Sequence, residues 1–286
     1  MSVLVTGFNG KVGKEVARKL KGQNLSFTCG VRSVEKAVKR FGEEFSFVEL
    51  DFSNPETFAA ALEGIEQVFL IYPPGDKMEF GEFLKVLKEM GVQHIVYLSV
   101  KDVQYLPFIH HFKNEKLIKK LGVPYTFIRA GYFMQNLQDF LGQEIKENKR
   151  IFVPAGKGKA SFVDTRDLAE VALQAFLNPE KFRYTYPVIT GEKALDFYEV
   201  AEIMTAVLGE KIVYTNPSVK EFKSYMVNKG EKEDFVNVVV GIHFPTKLGL
   251  TKGVTADFEK ITNSKPIPLE QYVKDYQEKW LTDEND

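Results

Sequence analysis

A chain of 286 residues is long enough to bury one or two sizeable cores, and 44% hydrophobic with 27% charged residues marks a folded globular protein. The net charge of −1, with Lys and Arg dispersed, argues against a nucleic-acid-binding face. A single cysteine, Cys29, excludes an intramolecular disulfide.

The N-terminus, MSVLVTGFNGKVGKEV, has no basic stretch ahead of a long apolar run, and no apolar run approaches the roughly 18 residues of a membrane span. The expectation is a cytoplasmic protein that uses neither membrane nor nucleic acid. Short apolar β-type runs then follow in order: 3–7, 25–32, 45–50, 67–73, 94–100, 125–130 and 186–190. Most are too continuously apolar for a half-exposed strand and suit parallel strands covered on both faces. Helical candidates lie between them, at 11–22, 34–41, 55–63, 76–90, 110–121 and 164–177. In NPETFAAALEG, Asn54 can cap, Pro55 takes the first helical position and Gly64 closes. The alternation predicts an α/β, Rossmann-like, doubly wound parallel sheet. After residue 191 the pattern becomes mostly helical, at 195–209, 217–230 and 268–280, with a short β-type run at 211–216. The reading divides the chain into 1–190, a dinucleotide-binding region that regains elements from the C-terminal half, and 191–286, a smaller substrate or partner region.

Between the first strand and first helix stand Gly7, Gly10 and Gly13. One permits a tight turn, one lets phosphate approach the backbone, and one lets helix and strand pack closely. The helix N-terminus then offers N–H groups and a positive dipole end to a pyrophosphate. At the end of the second strand, where an acid would grip the ribose of NAD, the chain has GVRSVEK. Arg32 stands in that place and Lys36 one turn on, which favours NADP(H) over NAD(H). Glu35 and the plain alternative of a solvated arginine stand against this.

With these residues, and with LDFSNPETFAAALEGIEQVFLI, HHFKNEKLIKKLGVPYTFIRAGYFMQN, FVDTRDLAEVA and ITGEKALDFYEVAEIMTAVLGEKIVY, the chain resembles the NmrA-like group of atypical short-chain dehydrogenases/reductases over nearly its whole length. The resemblance implies NADPH chemistry of the quinone or triphenylmethane reductase kind. It places Thr6, Gly7, Asn9, Gly10, Val12 and Gly13 at the cofactor. Asp51 and Phe52 fall to the adenine, and Ile71, Tyr72 and Pro73 to the ribose and pyrophosphate. Ser99 and Val100 fall to the nicotinamide side. GYFMQN then supplies pocket walls: Tyr132, Phe133, Met134 and Asn136, with Phe133 and Asn136 also touching cofactor. Core packing is the plain alternative for Phe133 and Met134.

The Tyr-x3-Lys pair of ordinary short-chain dehydrogenases is missing from its place. Tyr97 and Lys101 lie in or just past a strand, about 13 Å apart along an extended chain, and Tyr225 and Lys229 lie far along in the C-terminal region. At the expected place stand His111 and Glu115, one helical turn apart, paired in the same way in the resemblance. Together with Ser99 they are the catalytic candidates, read as ligand-positioning groups. His110 reads as a surface or capping residue. HHFKNE lacks the spacing and companions of a metal site. Capping is the plainer reading of Asp164 and Asp167, and a solvated loop that of Lys157 and Lys159.

The resulting expectation is an NADPH-dependent reductase of a quinone-like or other flat apolar acceptor. Its rival is a non-catalytic NAD(P) redox sensor with a regulatory protein partner; a lyase or isomerase is a weaker third. A homodimer is compatible with all three.

Overall fold

The computed structural model describes residues 2–73, 75 and 77–281. The chain forms two compact units that interleave in sequence: residues 1–130, 165–189 and 257–264 make the first, and 131–164, 190–256 and 265 onward the second.

The first unit is built on a seven-stranded sheet of β1 (Ser2–Val5), β2 (Ser26–Val31), β3 (Phe47–Glu49), β4 (Gln67–Leu70), β5 (His94–Val100), β6 (Tyr125–Ala130) and a last strand, Val188–Ile189. From that last strand inward the order is β6, β5, β4, β1, β2, β3, and every pair is parallel. The order reverses between β1 and β4, which is where sheets of this kind open a crevice at the carboxyl ends of their strands. All seven strands coincide with the apolar runs of the sequence. The helices do so as well: α1 (Lys11–Gly22), α2 (Val34–Phe41), α3 (Phe58–Leu62), α4 (Phe80–Glu89) and α5 (His110–Leu121). The candidate at 76–90 is shorter than expected, and its residue 76 lies outside the described residues.

Strand alternation sends Leu4, Val68, Leu70, Ile95, Tyr97 and Phe127 to one face, where they join side chains of α3, α4 and α5. Val3, Val5, Phe69, Val96, Leu98 and Ile128 are also buried, on the other face. Both faces are therefore covered, as the lack of polar alternation implies. The Lys19 ammonium reaches Glu170 at 2.6 Å and ties α1 to the helix Thr165–Leu177.

The second unit holds a three-stranded sheet, with Ala160–Val163 between Tyr132–Phe133 and Ala194–Leu195. Its helices include Gln135–Asn148, Phe197–Leu208, Val219–Asn228, Glu233–Lys247 and Leu269–Asp275. Leu137, Leu141, Phe162, Phe197, Met204 and Trp280 share its core. The sequence reading placed a boundary near residue 190 with elements regained from the C-terminal half; here 257–264 returns to the first unit, and 131–164 belongs to the second. The strand 160–163 pairs with 132–133 and 194–195, which draws 131–164 into the second unit.

Candidate active site

The glycine loop is pinned from below. The Thr6 N–H donates to the Phe69 carbonyl at 3.0 Å, and the Thr6 hydroxyl oxygen accepts from the Ile71 N–H at 2.8 Å. Phe8 is fully buried and packs edge-on against Phe41, Phe45 and Phe47. Between these anchors Gly7 takes a φ of +65°, and the Gly10 N–H closes the turn on the Gly7 carbonyl at 2.9 Å. A Cβ at Gly13 would stand 2.3 Å from the Gly7 oxygen, a backbone atom, so helix and strand approach too closely for any side chain there. A Cβ at Gly10 would meet only that oxygen, at 3.2 Å. Gly7, Asn9 and Gly10 are exposed and Val12 is buried beneath them. Helix α1 starts at a glycine that brings no side-chain cap, and its first turn holds no acid. Its positive end is thus left for an anion.

Beyond β2, Arg32 is exposed and no acid occupies its place. Ser33 caps α2 by accepting from the Lys36 N–H at 3.3 Å, which leaves the Lys36 side chain exposed one turn on. Asp51 follows β3. The Ser53 N–H and hydroxyl donate to its carboxylate at 2.9 and 2.7 Å. The Ser53 backbone bond, then the Ser53 hydroxyl, with help from the Arg32 charge, holds the Asp51 carboxyl below the usual range. Phe52 differs from Asp51: its ring packs among Phe58, Phe80 and Phe83, with only 7% of the residue exposed. After β4, Ile71 lies against Gly7. Tyr72 stacks on His110 with centroids 5.1 Å apart and meets Phe80 edge-on, and Pro73 is half-buried beside it. These segments all leave carboxyl ends of adjacent strands in one sheet.

At the end of β5 the arrangement departs from the expected His–Glu pair. The buried Glu115 carboxylate accepts from the Ser99 hydroxyl at 2.8 Å and from Arg129 through both Nε, at 3.0 Å, and Nη2, at 2.7 Å. Arg129 also donates to Gln104 at 3.3 Å. His111 turns instead to Tyr97: its Nδ1 lies 2.8 Å from the Tyr97 hydroxyl, which accepts from the Asn114 amide at 3.1 Å. The spacing does put His111 and Glu115 on one helical face, but Arg129, paired across from Ser99 in the β5–β6 register, captures the carboxylate. Burial pushes the His111 imidazole down to about 4, against the opposing pull of the Glu115 charge. Burial also raises the Tyr97 phenol. The half-buried Val100 precedes Lys101, which pairs with the neighbouring Asp102.

Sequence reasoning missed Arg129, Tyr97 and Asn114. A signal existed for Arg129, a lone charge within an otherwise apolar strand. Its partner depends on strand register, which spacing does not disclose.

In the second unit, Tyr132 is 9% exposed and its hydroxyl meets His243 Nε2 at 2.9 Å. Met134 is 2% exposed and walls a small cleft with Phe162, Leu195 and Leu269. Both belong to that unit's core, whereas Phe133 and Asn136 are half-buried. The other Tyr-x3-Lys string is fully employed: Tyr225 and Lys229 both donate to Glu144, at 2.7 and 2.8 Å. Lys159 is held by both oxygens of Glu199, and Asp164 accepts from the Gln135 amide at 3.0 Å. Among the described residues no cluster of three His, Cys, Asp or Glu is placed to hold a metal ion, and no helix is long and apolar enough to cross a membrane.

A loop of this construction, on this sheet, is matched by the NmrA-like family model over residues 1–273. The chain belongs to the NmrA-like family. It is 29% identical to prestalk A differentiation protein A of Dictyostelium discoideum, over 96% of this chain and 92% of that one. It is equally 29% identical to an NAD(P)H azoreductase of Xenophilus azovorans, over 95% of this chain and 96% of the relative. The fold superposes on the Citrobacter sp. triphenylmethane reductase complexed with NADP(H), with a TM-score of 0.86 at 26% identity, covering 96% of this chain and 99% of that one. The family, the Rossmann-like sheet and the glycine loop thus agree with the sequence reading.

Proposed function

We propose that this NmrA-like protein is an NADPH-dependent reductase acting on a quinone-like or other flat apolar acceptor. The observation that carries the reading is the open N-terminus of α1 above a loop whose glycines admit a phosphate. A Cβ at Gly13 has no room, one at Gly10 would meet only the Gly7 oxygen at 3.2 Å, and the first turn of α1 brings neither an acid nor a side-chain cap to compete for the anion. The names of the azoreductase and of the NADP(H)-bound triphenylmethane reductase support the same chemistry.

In this reading Thr6, Gly7, Asn9, Gly10, Val12 and Gly13 hold the pyrophosphate. Arg32 and Lys36 take the 2′-phosphate, whose charge a guanidinium matches in geometry. Asp51 is the adenine-side contact, with Phe52 supporting it from the core. Ile71, Tyr72 and Pro73 flank the ribose, and Ser99 and Val100 the nicotinamide. Phe133 and Asn136, the half-exposed members of their stretch, serve the acceptor. Bound NADPH supplies the hydride. His111, neutral near pH 7, donates a hydrogen bond without having to give up its proton. Glu115 is a structural anchor for α5 rather than a proton carrier.

A second reading is a cofactor-binding sensor without turnover. It is favoured by one observation: both Tyr-x3-Lys strings are committed elsewhere, Tyr97 to His111 and Asn114, and Tyr225 with Lys229 to Glu144.

Calorimetric titration tests the cofactor site that both readings need. NADPH should bind saturably, and Gly10→Val should abolish binding in a protein that still folds. Undiminished binding in that variant, or none in the parent, would remove the basis of the proposal.

A further inference from the structure

The three side chains around the Tyr97 oxygen form a directed chain. Tyr97 is fully buried, so its hydroxyl must satisfy itself within the protein. Its oxygen accepts from the Asn114 Nδ2 group at 3.1 Å, and a phenol carries one proton to give. The other polar atom bonded to it is His111 Nδ1, at 2.8 Å. That nitrogen therefore receives the proton, which requires it to be bare. A neutral imidazole with a bare Nδ1 carries its hydrogen on Nε2.

We propose that Tyr97 and Asn114 are positioning residues that lock His111 as the Nε2–H tautomer, so that it presents a fixed hydrogen-bond donor to the oxygen or nitrogen of the reducible acceptor. The identity of the ligand rests on the reductase reading; the lock itself does not. Each part fits its place. Asn114 sits on the buried side of α5, 4% exposed, three residues after His111, and Tyr97 stands on β5 beneath that helix. His111 is only partly buried and makes no second hydrogen bond to the described residues. The low basicity imposed by burial, to about 4, keeps the ring neutral where the lock has meaning. The proton stays on Nε2 throughout, so the acceptor gains polarisation and orientation and draws its proton from water. The arrangement reverses the usual role of a tyrosine in short-chain dehydrogenases: Tyr97 does not touch the acceptor but sets the group that does.

The alternative is concrete. Turning the Asn114 amide over would offer Tyr97 an acceptor. Tyr97 would then donate to Asn114 and accept from His111 Nδ1–H, leaving Nε2 bare and unable to donate. Nitrogen-detected correlation NMR of protein labelled with ¹⁵N-histidine separates the two states without cofactor or acceptor. His111→Gln identifies the signal among the four histidines. The expected spectrum near pH 7 has Nε2 protonated and Nδ1 bare. Protonation at Nδ1 in the parent would overturn the lock. Tyr97→Phe should relax the pattern to a mixture of tautomers; should that variant fail to fold, Asn114→Ala should weaken the same preference. A pattern unmoved by either change would also overturn it.

The donor role is read separately. Parent protein saturated with NADP⁺ is titrated with 1,4-naphthoquinone as an unreactive-pair probe. The His111 Nε2–H signal should shift while those of the buried His94 and His243 stay in place. A quinone that binds without moving it, or that does not bind at all, would overturn the donor role and leave the tautomer result standing on its own.

Discussion

Arg129 grips Glu115 by two parallel bonds, Nε to Oε1 at 3.0 Å and Nη2 to Oε2 at 2.7 Å, with both side chains largely out of water. Such a pair is weak evidence of net stability, but breaking it strands a charge. Glu115→Ala leaves a guanidinium only 15% exposed without its counter-charge. Urea unfolding should register a loss of about 3–5 kcal/mol. A loss below about 1 kcal/mol would mean the pair behaves as a surface contact.

The glycines of the loop should differ from one another. A methyl at Gly13 lands on backbone that cannot move aside, 2.3 Å from the Gly7 oxygen, whereas one at Gly10 meets that oxygen at 3.2 Å. Gly13→Ala should lower the melting temperature by several degrees, and Gly10→Ala should melt close to the parent. Equal melts for the two variants would mean the helix–strand approach is looser than described.

Arg32 should decide between the two nicotinamide cofactors. It is exposed, it lies near Asp51, and no acid stands in its place to hold a ribose hydroxyl. The parent should bind NADPH more tightly than NADH, and Arg32→Ala should narrow the gap by about 1.5–3 kcal/mol. Calorimetry with both cofactors measures it; equal affinities in the parent would contradict the assignment.

Much of this was legible in the sequence because the signals were local. Seven apolar runs became the seven strands, and Gly7, Gly10 and Gly13 fell at the turn they imply. What escaped was non-local or locally contrary. The helix Glu233–Lys247 contains a valine run, Gly241 and Pro245, all poor helix formers; packing of Val236, Val239 and His243 holds it. The helix Gln135–Asn148 carries Leu137, Leu141 and Ile145 on one buried face, but it begins inside GYFMQN, which was assigned to a pocket wall and not to a helix. That assignment also overlooked that Tyr132 and Met134 face a core of their own. The site around His111 was found from its spacing, yet its partners were not: Tyr97, Asn114 and Arg129 meet it through register and burial.

Three histidines, His94 and His243 fully buried and His111 partly so, should shape the acid side of the stability curve. Burial pushes His94, with the Arg183 charge assisting, and also His111 and His243 down to about 4, from an ordinary 6.5. Between those values the unfolded chain takes up protons and the folded one does not. Stability therefore falls as pH drops from about 6.5 toward 4, with a slope approaching roughly 1.4 kcal/mol per pH unit for each histidine. Asp51, depressed by its Ser53 bonds, and Glu144, where bonds from Lys229, Tyr225 and Arg150 outweigh burial, lose their contributions only at lower pH. The upper half of the window thus belongs to the histidines. Urea midpoints that stay flat from pH 7 to 5 would contradict their neutral state in the folded protein.

Whether the chain turns over NADPH is read most directly from steady-state oxidation of NADPH by the purified protein. The acceptors should span quinones, azo dyes and triphenylmethane dyes. The protein should reduce at least one class with NADPH, faster than with NADH, and Gly10→Val should lose this activity. Saturable NADPH binding with no consumption on any acceptor would contradict it and identify the protein as a sensor.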